Sequence, residues 1–251
     1  MNRLDGKRII ITGGSSGMGR TMVEGFPSLG AKVVFFDVND TDGEKIAQTT
    51  GAKYIHVDVS DPQAVTGGVK EATEYLGGID VLIHAAGIAP VCPVENLTLE
   101  EWDKVFKINA GGTFLINQAM LPYMKENGGH IINFTSASAF IGDVGQSHYS
   151  ASKGAVTAWS RSLAKEWMPY NIRVNMIAPC IWTPMYDQMR SMLTPEQVAA
   201  MDQSLQGICL GGKLGDPVKD FLPVMAFMAG DGSSYITGQV ISIDGGVMMV
   251  R

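Results

Sequence analysis

The feature that most constrains this chain is a short β-branched run followed at once by glycines. Ile9-Ile10-Ile11-Thr12 closes a strand predicted over 7–12, and Gly13-Gly14-Ser15-Ser16-Gly17-Met18-Gly19 comes directly after it. A helical pattern then takes over, with Met22, Val23, Phe26 and Leu29 at helical spacing. A strand that is apolar without alternation is buried on both faces, as in a parallel sheet. Strand, glycine-rich turn and helix in that order let backbone N–H groups approach a phosphate at the helix N-terminus. The expectation is a nucleotide-binding α/β protein. Pro27 falls in the last turn of the helix and predicts a bend or an early end there.

The same alternation continues along the chain. Further strands are predicted over 32–36, 54–57, 81–83, 130–134, 172–177 and 239–243. Helices are predicted over 41–49, 62–76, 99–126, from Tyr149 through Trp167, and over 217–229. No repeat, low-complexity stretch or linker interrupts them. Residues 1–251 are therefore expected to form one domain, a Rossmann-type doubly wound parallel sheet in three α/β/α layers with right-handed crossovers. Two places break the pattern. Asn109-Ala110-Gly111-Gly112 is poor helix material inside the 99–126 run and predicts a kink or a functional role. Residues 183–212, with four methionines among them, interrupt the alternation and are expected to form a substrate lid.

Composition narrows the function classes. The net charge is −6 and no run of like charges stands out, which argues against nucleic acid or an anionic membrane surface as a partner. Cys92, Cys180 and Cys209 have no metal-ligand spacing, so no metal is expected and the thiols read as reduced small hydrophobes. No apolar run approaches the ~18 residues of a membrane span, and no secretory core precedes Ile9. A soluble cytoplasmic protein is the expectation.

Several residues carry the chemistry. Asp37 ends the second strand, 18 residues after Gly19, a distance at which a carboxylate holds the adenosine ribose and repels a 2′-phosphate. Val38 follows it, and the glycine loop offers Ser15 and Ser16 rather than a basic residue, so NAD is expected over NADP. Ala85-Ala86-Gly87 leaves room at the end of the fourth strand, while His84 reads as a hydrogen-bonded structural residue. Tyr149 and Lys153, four apart, project from one face of a helix. A fixed ammonium beside a phenol is expected to lower the tyrosine pKa from about 10 and make it a proton carrier near neutral pH.

These motifs, in this order, resemble the short-chain dehydrogenase/reductase family across nearly the whole chain. Thr12-Gly13-Gly14-Ser15-Ser16-Gly17-Met18-Gly19 matches its cofactor loop, and Tyr149-Ser150-Ala151-Ser152-Lys153 its active-site motif. Ser136 lies 13 residues before Tyr149, Asn109 matches the asparagine of the fourth helix, and Ile243-Asp244-Gly245-Gly246 resembles the C-terminal pattern. The resemblance implies Tyr149 as general acid/base, and Lys153 tuning it while holding the nicotinamide ribose. Ser136 would steady the substrate oxygen, and Asn109 would hold a water that links Lys153 to solvent. It also implies cofactor contacts from Asp58, Val59, Ala86, Gly87, Ile181 and Thr183. The chain departs from the family at His84-Ala85, where two asparagines are usual, at Pro179-Cys180, and at Pro27.

The function so implied is NAD-dependent interconversion of a secondary alcohol and a ketone, by a homo-oligomer that the family makes a tetramer. Methionines and aromatics in 183–201 point to an apolar substrate. Two other readings stand beside it: a 3-oxoacyl-carrier-protein reductase, and a non-catalytic nucleotide-binding or scaffold protein.

Overall fold

The computed structural model describes residues 3–248. Seven strands form one parallel sheet: β1 Arg8–Thr12, β2 Lys32–Asp37, β3 Lys53–His56, β4 Val81–His84, β5 Gly129–Phe134, β6 Ile172–Pro179 and β7 Val240–Ile243. Their order is β3-β2-β1-β4-β5-β6-β7. The helices are α1 Gly17–Gly25, α2 Asp40–Thr50, α3 Pro62–Leu76, α4 Leu99–Phe106, α5 Gly112–Met124, α6 Ser138–Ile141, α7 Ser147–Glu166, α8 Pro184–Ser191, α9 Pro195–Leu205 and α10 Leu222–Ala229.

The period of two along the strands divides the core. Ile9, Ile11, Val33, Phe35 and Ile83 face the layer of α1, α2 and α10, where Met22, Ile46 and Met225 meet them. Ile10, Val34, Phe36, Leu82 and Ile131 face α3, α5 and α7, against Val69, Ile116 and Leu163. Each such side chain contributes about 2 kcal/mol by leaving water. Three layers in one domain are the expected architecture.

Local chemistry accounts for the breaks. Helix α1 stops at Gly25 and a tight turn over Pro27–Leu29 follows, as Pro27 predicts. The predicted 99–126 helix is two helices joined by a wide turn at Lys107–Gly111, where the Gly112 N–H reaches back to the Lys107 carbonyl. Residues 183–212 are more regular than their composition implies. Thr183 caps α8, and Thr194 with Gln197 forms a capping box on α9. The sequence reading also misses the single turn α6, which ends at Gly142 with φ +73. Among the described residues no helix is long and apolar enough to cross a membrane.

Candidate active site

Strand order reverses between β1 and β4, and a cleft of about 400 Å³ opens at their carboxyl ends. Of the residues expected to contact a cofactor, Gly13, Ser16, Gly17, Met18, Gly19, Asp37, Asp58, Val59, Ala86, Gly87 and Thr183 line it. Val38, Ile88, Ile108 and Met185 also line it and were outside the predicted set. Apolar residues of this kind carry no motif; only the folding brings them here.

The glycine loop is shaped for close approach. A Cβ on Gly19 would sit 2.0 Å from the Gly13 carbonyl oxygen, and one on Gly13, where φ is +71, would meet the Ala86 backbone at 2.9 Å. Ser16 at the start of α1 is extended and makes no side-chain cap, so the first N–H groups of that helix are left for an anion. The Ser15 N–H donates to Asp37 Oδ2 at 2.9 Å, tying the loop to the end of β2. The hydroxyl of Ser15 is buried without a partner rather than in the cleft wall. Asp37 Oδ1 accepts from the Val38 and Asn39 N–H groups at 2.8 and 3.1 Å. A carboxylate has about four acceptor sites, so one remains for a ribose hydroxyl. Ile181 turns into the core and pairs with Gly215.

Helix α7 carries Tyr149 and Lys153. The Lys153 Nζ is buried, donates to the Phe134 carbonyl at 2.8 Å, and lies 5.9 Å from the centre of the Tyr149 ring. Burial brings its pKa down to about 8. Contrary to the sequence expectation, the Tyr149 pKa is raised. Burial raises it most, the Ser136 hydroxyl acts against that, and Asp143 adds to it. The ammonium does not counter this because it is directed at the Phe134 carbonyl and not at the phenol oxygen.

Asn109 sits in the wide turn with its side chain engaged. Its Oδ1 accepts from the Ile88 N–H at 2.9 Å, and its Nδ2 donates to the Ile88 carbonyl and to Ser152 Oγ at 2.9 and 3.0 Å. Its own carbonyl accepts the Thr113 hydroxyl at 2.6 Å. Asn109 thus fixes the segment after β4 against α7. His84 is structural as expected: its Nδ1 lies 2.8 Å from Thr12 Oγ1, and burial takes its pKa down to about 3.

A family model described as enoyl-(acyl carrier protein) reductase matches residues 13–248. A 3-oxoacyl-(acyl-carrier-protein) reductase of Thermotoga maritima is 36% identical over 254 residues, covering 98% of this chain and all of that protein. A 3-alpha-(or 20-beta)-hydroxysteroid dehydrogenase of Mycobacterium tuberculosis is 36% identical over 250 residues, 98% of this chain and 91% of that one. The crystal structure of levodione reductase matches with a TM-score of 0.88 at 34% identity, covering 97% of this chain and 98% of the other. Likeness over almost the full length, in sequence and in the parallel sheet alike, means that this oxidoreductase chain belongs to the short-chain dehydrogenase/reductase family.

Proposed function

We propose that the protein interconverts a secondary alcohol and a ketone with NAD, using Tyr149 as the group that takes or gives the proton. The observation that carries this reading is the convergence of Ser136, Tyr149 and Lys153 beside the strand-end cleft. Gly87 links the two, since a Cβ there would lie 3.4 Å from Lys153 Nζ. The uncapped start of α1 fits a pyrophosphate, and the free acceptor site on Asp37 fits a ribose hydroxyl. When bound, the nicotinamide supplies the hydride acceptor or donor. The chain's own residues do the rest. Tyr149 holds or removes the proton on the substrate oxygen, Ser136 faces that phenol, and Lys153 supplies a buried positive charge to the site.

The lid points to an apolar substrate. Met185 and Met192 are 53% and 73% exposed, and no residue of α8 or α9 is fully buried, so these side chains are free to cover a ligand. Likeness to the Thermotoga maritima protein favours a second reading, a 3-oxoacyl-carrier reductase. Asp37 opposes the 2′-phosphate that such an enzyme would normally bind, and a net charge of −6 opposes an acidic carrier. A homotetramer working in the cytoplasm completes the proposal.

Coenzyme choice tests it. Fluorescence titration should give NADH at least about tenfold tighter binding than NADPH, the effect of a carboxylate roughly 4 Å from a phosphate. Asp37→Ala should weaken NADH and narrow the gap. A wild-type protein that prefers NADPH overturns the NAD assignment. A panel of cyclic alcohols, hydroxysteroids, aryl carbinols, hydroxy acids and a 3-oxoacyl thioester, followed by nicotinamide absorbance, separates the two substrate readings.

A further inference from the structure

Beyond Ser136 the site ends in a carboxylate with one oxygen to spare. Asp143 is exposed, and as a carboxylate it only accepts hydrogen bonds. Its Oδ2 is bonded to Ser138 Oγ, so the Ser138 hydrogen is committed there. The Ser138 oxygen accepts the Ser136 hydroxyl at 3.1 Å. Ser138 therefore has no hydrogen left for a ligand. Among the described residues Asp143 Oδ1 accepts no hydrogen bond and no cationic side chain pairs with Asp143. What remains for a ligand at this end is an anionic acceptor.

The backbone holds that acceptor in place. Gly142, at φ +73, ends α6 and turns the chain so that Asp143 comes back over Ser138. The Gln146 N–H donates to the Asp143 carbonyl at 3.2 Å, and the Cys92 N–H to the Gly145 carbonyl at 2.7 Å. The Gln146 side chain donates to the Ala89 carbonyl at 3.3 Å. The turn thus stands against residues 89–92, which continue the Ala85–Ile88 wall of the cleft. Ser138 is buried, so water does not compete for the hydroxyl that anchors Asp143. Two hydrogen bonds and the width of a carboxylate separate Ser136 Oγ from Asp143 Oδ1, a span of roughly 8 Å or less. Burial raises the Tyr149 phenol and the Cys180 thiol above their usual ranges and the Asp143 charge adds to both, in keeping with a carboxylate at the mouth between α7 and the end of β6. The large exposed side chains of the two facing segments, Val91, Phe140, Ile141 and Val144, are apolar.

We propose that Asp143 selects secondary alcohols and ketones that carry a second hydrogen-bond donor, a hydroxyl or an ammonium, a ring's width from the reacting carbon. The proposal deepens the alcohol–ketone reading and rests on it. With the reacting oxygen at Ser136 and Tyr149, the far end of such a substrate reaches Asp143 Oδ1, and its hydrocarbon body lies along the apolar side chains between. Once that body excludes water, the bond from the second donor to the carboxylate is charge-assisted and strong. An alcohol of the same size without the donor strips water from Oδ1 and gives nothing back, so the site disfavours it. Asp143 is a specificity residue: it meets the far end of the substrate and not the reacting atoms. Ser138 is a positioning residue that acts through Asp143.

The test measures kcat/KM for cyclohexanol, trans-cyclohexane-1,4-diol and trans-4-aminocyclohexanol in wild type, Asp143→Ala and Asp143→Asn. If cyclohexanol is not oxidised, the panel alcohol of highest turnover and its hydroxylated and aminated counterparts take their place. In wild type the diol, counted per hydroxyl, or the amino alcohol should exceed the plain alcohol at least about fivefold. Asp143→Ala should bring that ratio to about one, through the KM of the difunctional substrate. Asp143→Asn keeps an acceptor for Ser138 but no charge. It should preserve an advantage carried by the hydroxyl and abolish one carried by the ammonium, which tells the two donors apart. A wild-type ratio of about one for both difunctional substrates overturns the proposal. So does a ratio that Asp143→Ala leaves unchanged, because a merely structural loop would slow all three substrates alike. NADH affinity checks that each variant is folded, and Asp143→Asn keeps the test open if the alanine variant is not. Oxidation of the plain alcohol without any preference sinks only the specificity claim. A wild-type protein that oxidises no alcohol of the panel sinks the alcohol–ketone reading, and this proposal with it.

Discussion

At Lys153 stability and chemistry pull in opposite directions. The ammonium is 6% exposed, and burial takes its pKa from 10.5 to about 8. Below pH 8 both folded and unfolded chains carry the proton, so the cost of the buried charge, about 3 kcal/mol, is fully present. Between about 8 and 10.5 the unfolded chain binds more protons than the folded one, so this group makes stability rise with pH. Lys153→Met should therefore be more stable than wild type at pH 7, by up to about 3 kcal/mol less about 1 for the orphaned Phe134 carbonyl. Urea unfolding at pH 7 and near pH 10 checks this: the variant's advantage should shrink as pH rises. A difference that is constant across that range contradicts the account. The variant should also be inactive, which is the usual exchange of function for stability at a site of this kind.

Among the elements, the wide turn at Lys107–Gly111 and the pair α8–α9 do most to define the site. The turn places Asn109 against Ile88 and Ser152. Glycines beside Asn109 make the break visible in the sequence, because a regular helix there is disfavoured. Its use is not visible, because Ile88 and Ser152 are brought to Asn109 only by folding. Helices α8 and α9 are joined by Arg190, which pairs with Asp202 and stacks over the Trp182 and Tyr186 rings at 5.2 and 5.6 Å. The Asp202 side of this pair is half solvated, so its share of global stability is small. Arg190→Ala should change the unfolding free energy by less than about 1 kcal/mol while raising the substrate KM several-fold. Parallel urea and steady-state measurements check this. An unchanged KM would mean that substrate binding does not depend on the pairing of α8 with α9.

For the molecule as a whole, the sheet was the most legible part. Ile9-Ile10-Ile11 and Val33-Val34-Phe35-Phe36 are apolar without alternation, and helices cover both faces of the strands they form. The proximity of the proposed catalytic residues was legible for a related reason: Tyr149 and Lys153 share a helix, and the strand that ends near Ser136 leads into it. What escaped was whatever depends on a side chain's final direction. Four-residue spacing places Lys153 beside Tyr149 but does not show that its Nζ goes to Phe134. The contact from Ser138 to Asp143 needs the turn at Gly142, and composition does not foretell that turn. The departure at His84-Ala85 proves compatible with the fold, since Thr12 takes the hydrogen bond to His84 and accepts the Ala86 N–H at 3.1 Å.

The central claim is that Tyr149 carries the proton of an alcohol–ketone interconversion. Its most direct test is the turnover number of Tyr149→Phe with the best panel alcohol, measured beside NADH affinity. A fall in kcat of at least about a hundredfold with NADH binding within about twofold of wild type is the predicted result. An unchanged turnover number would contradict it.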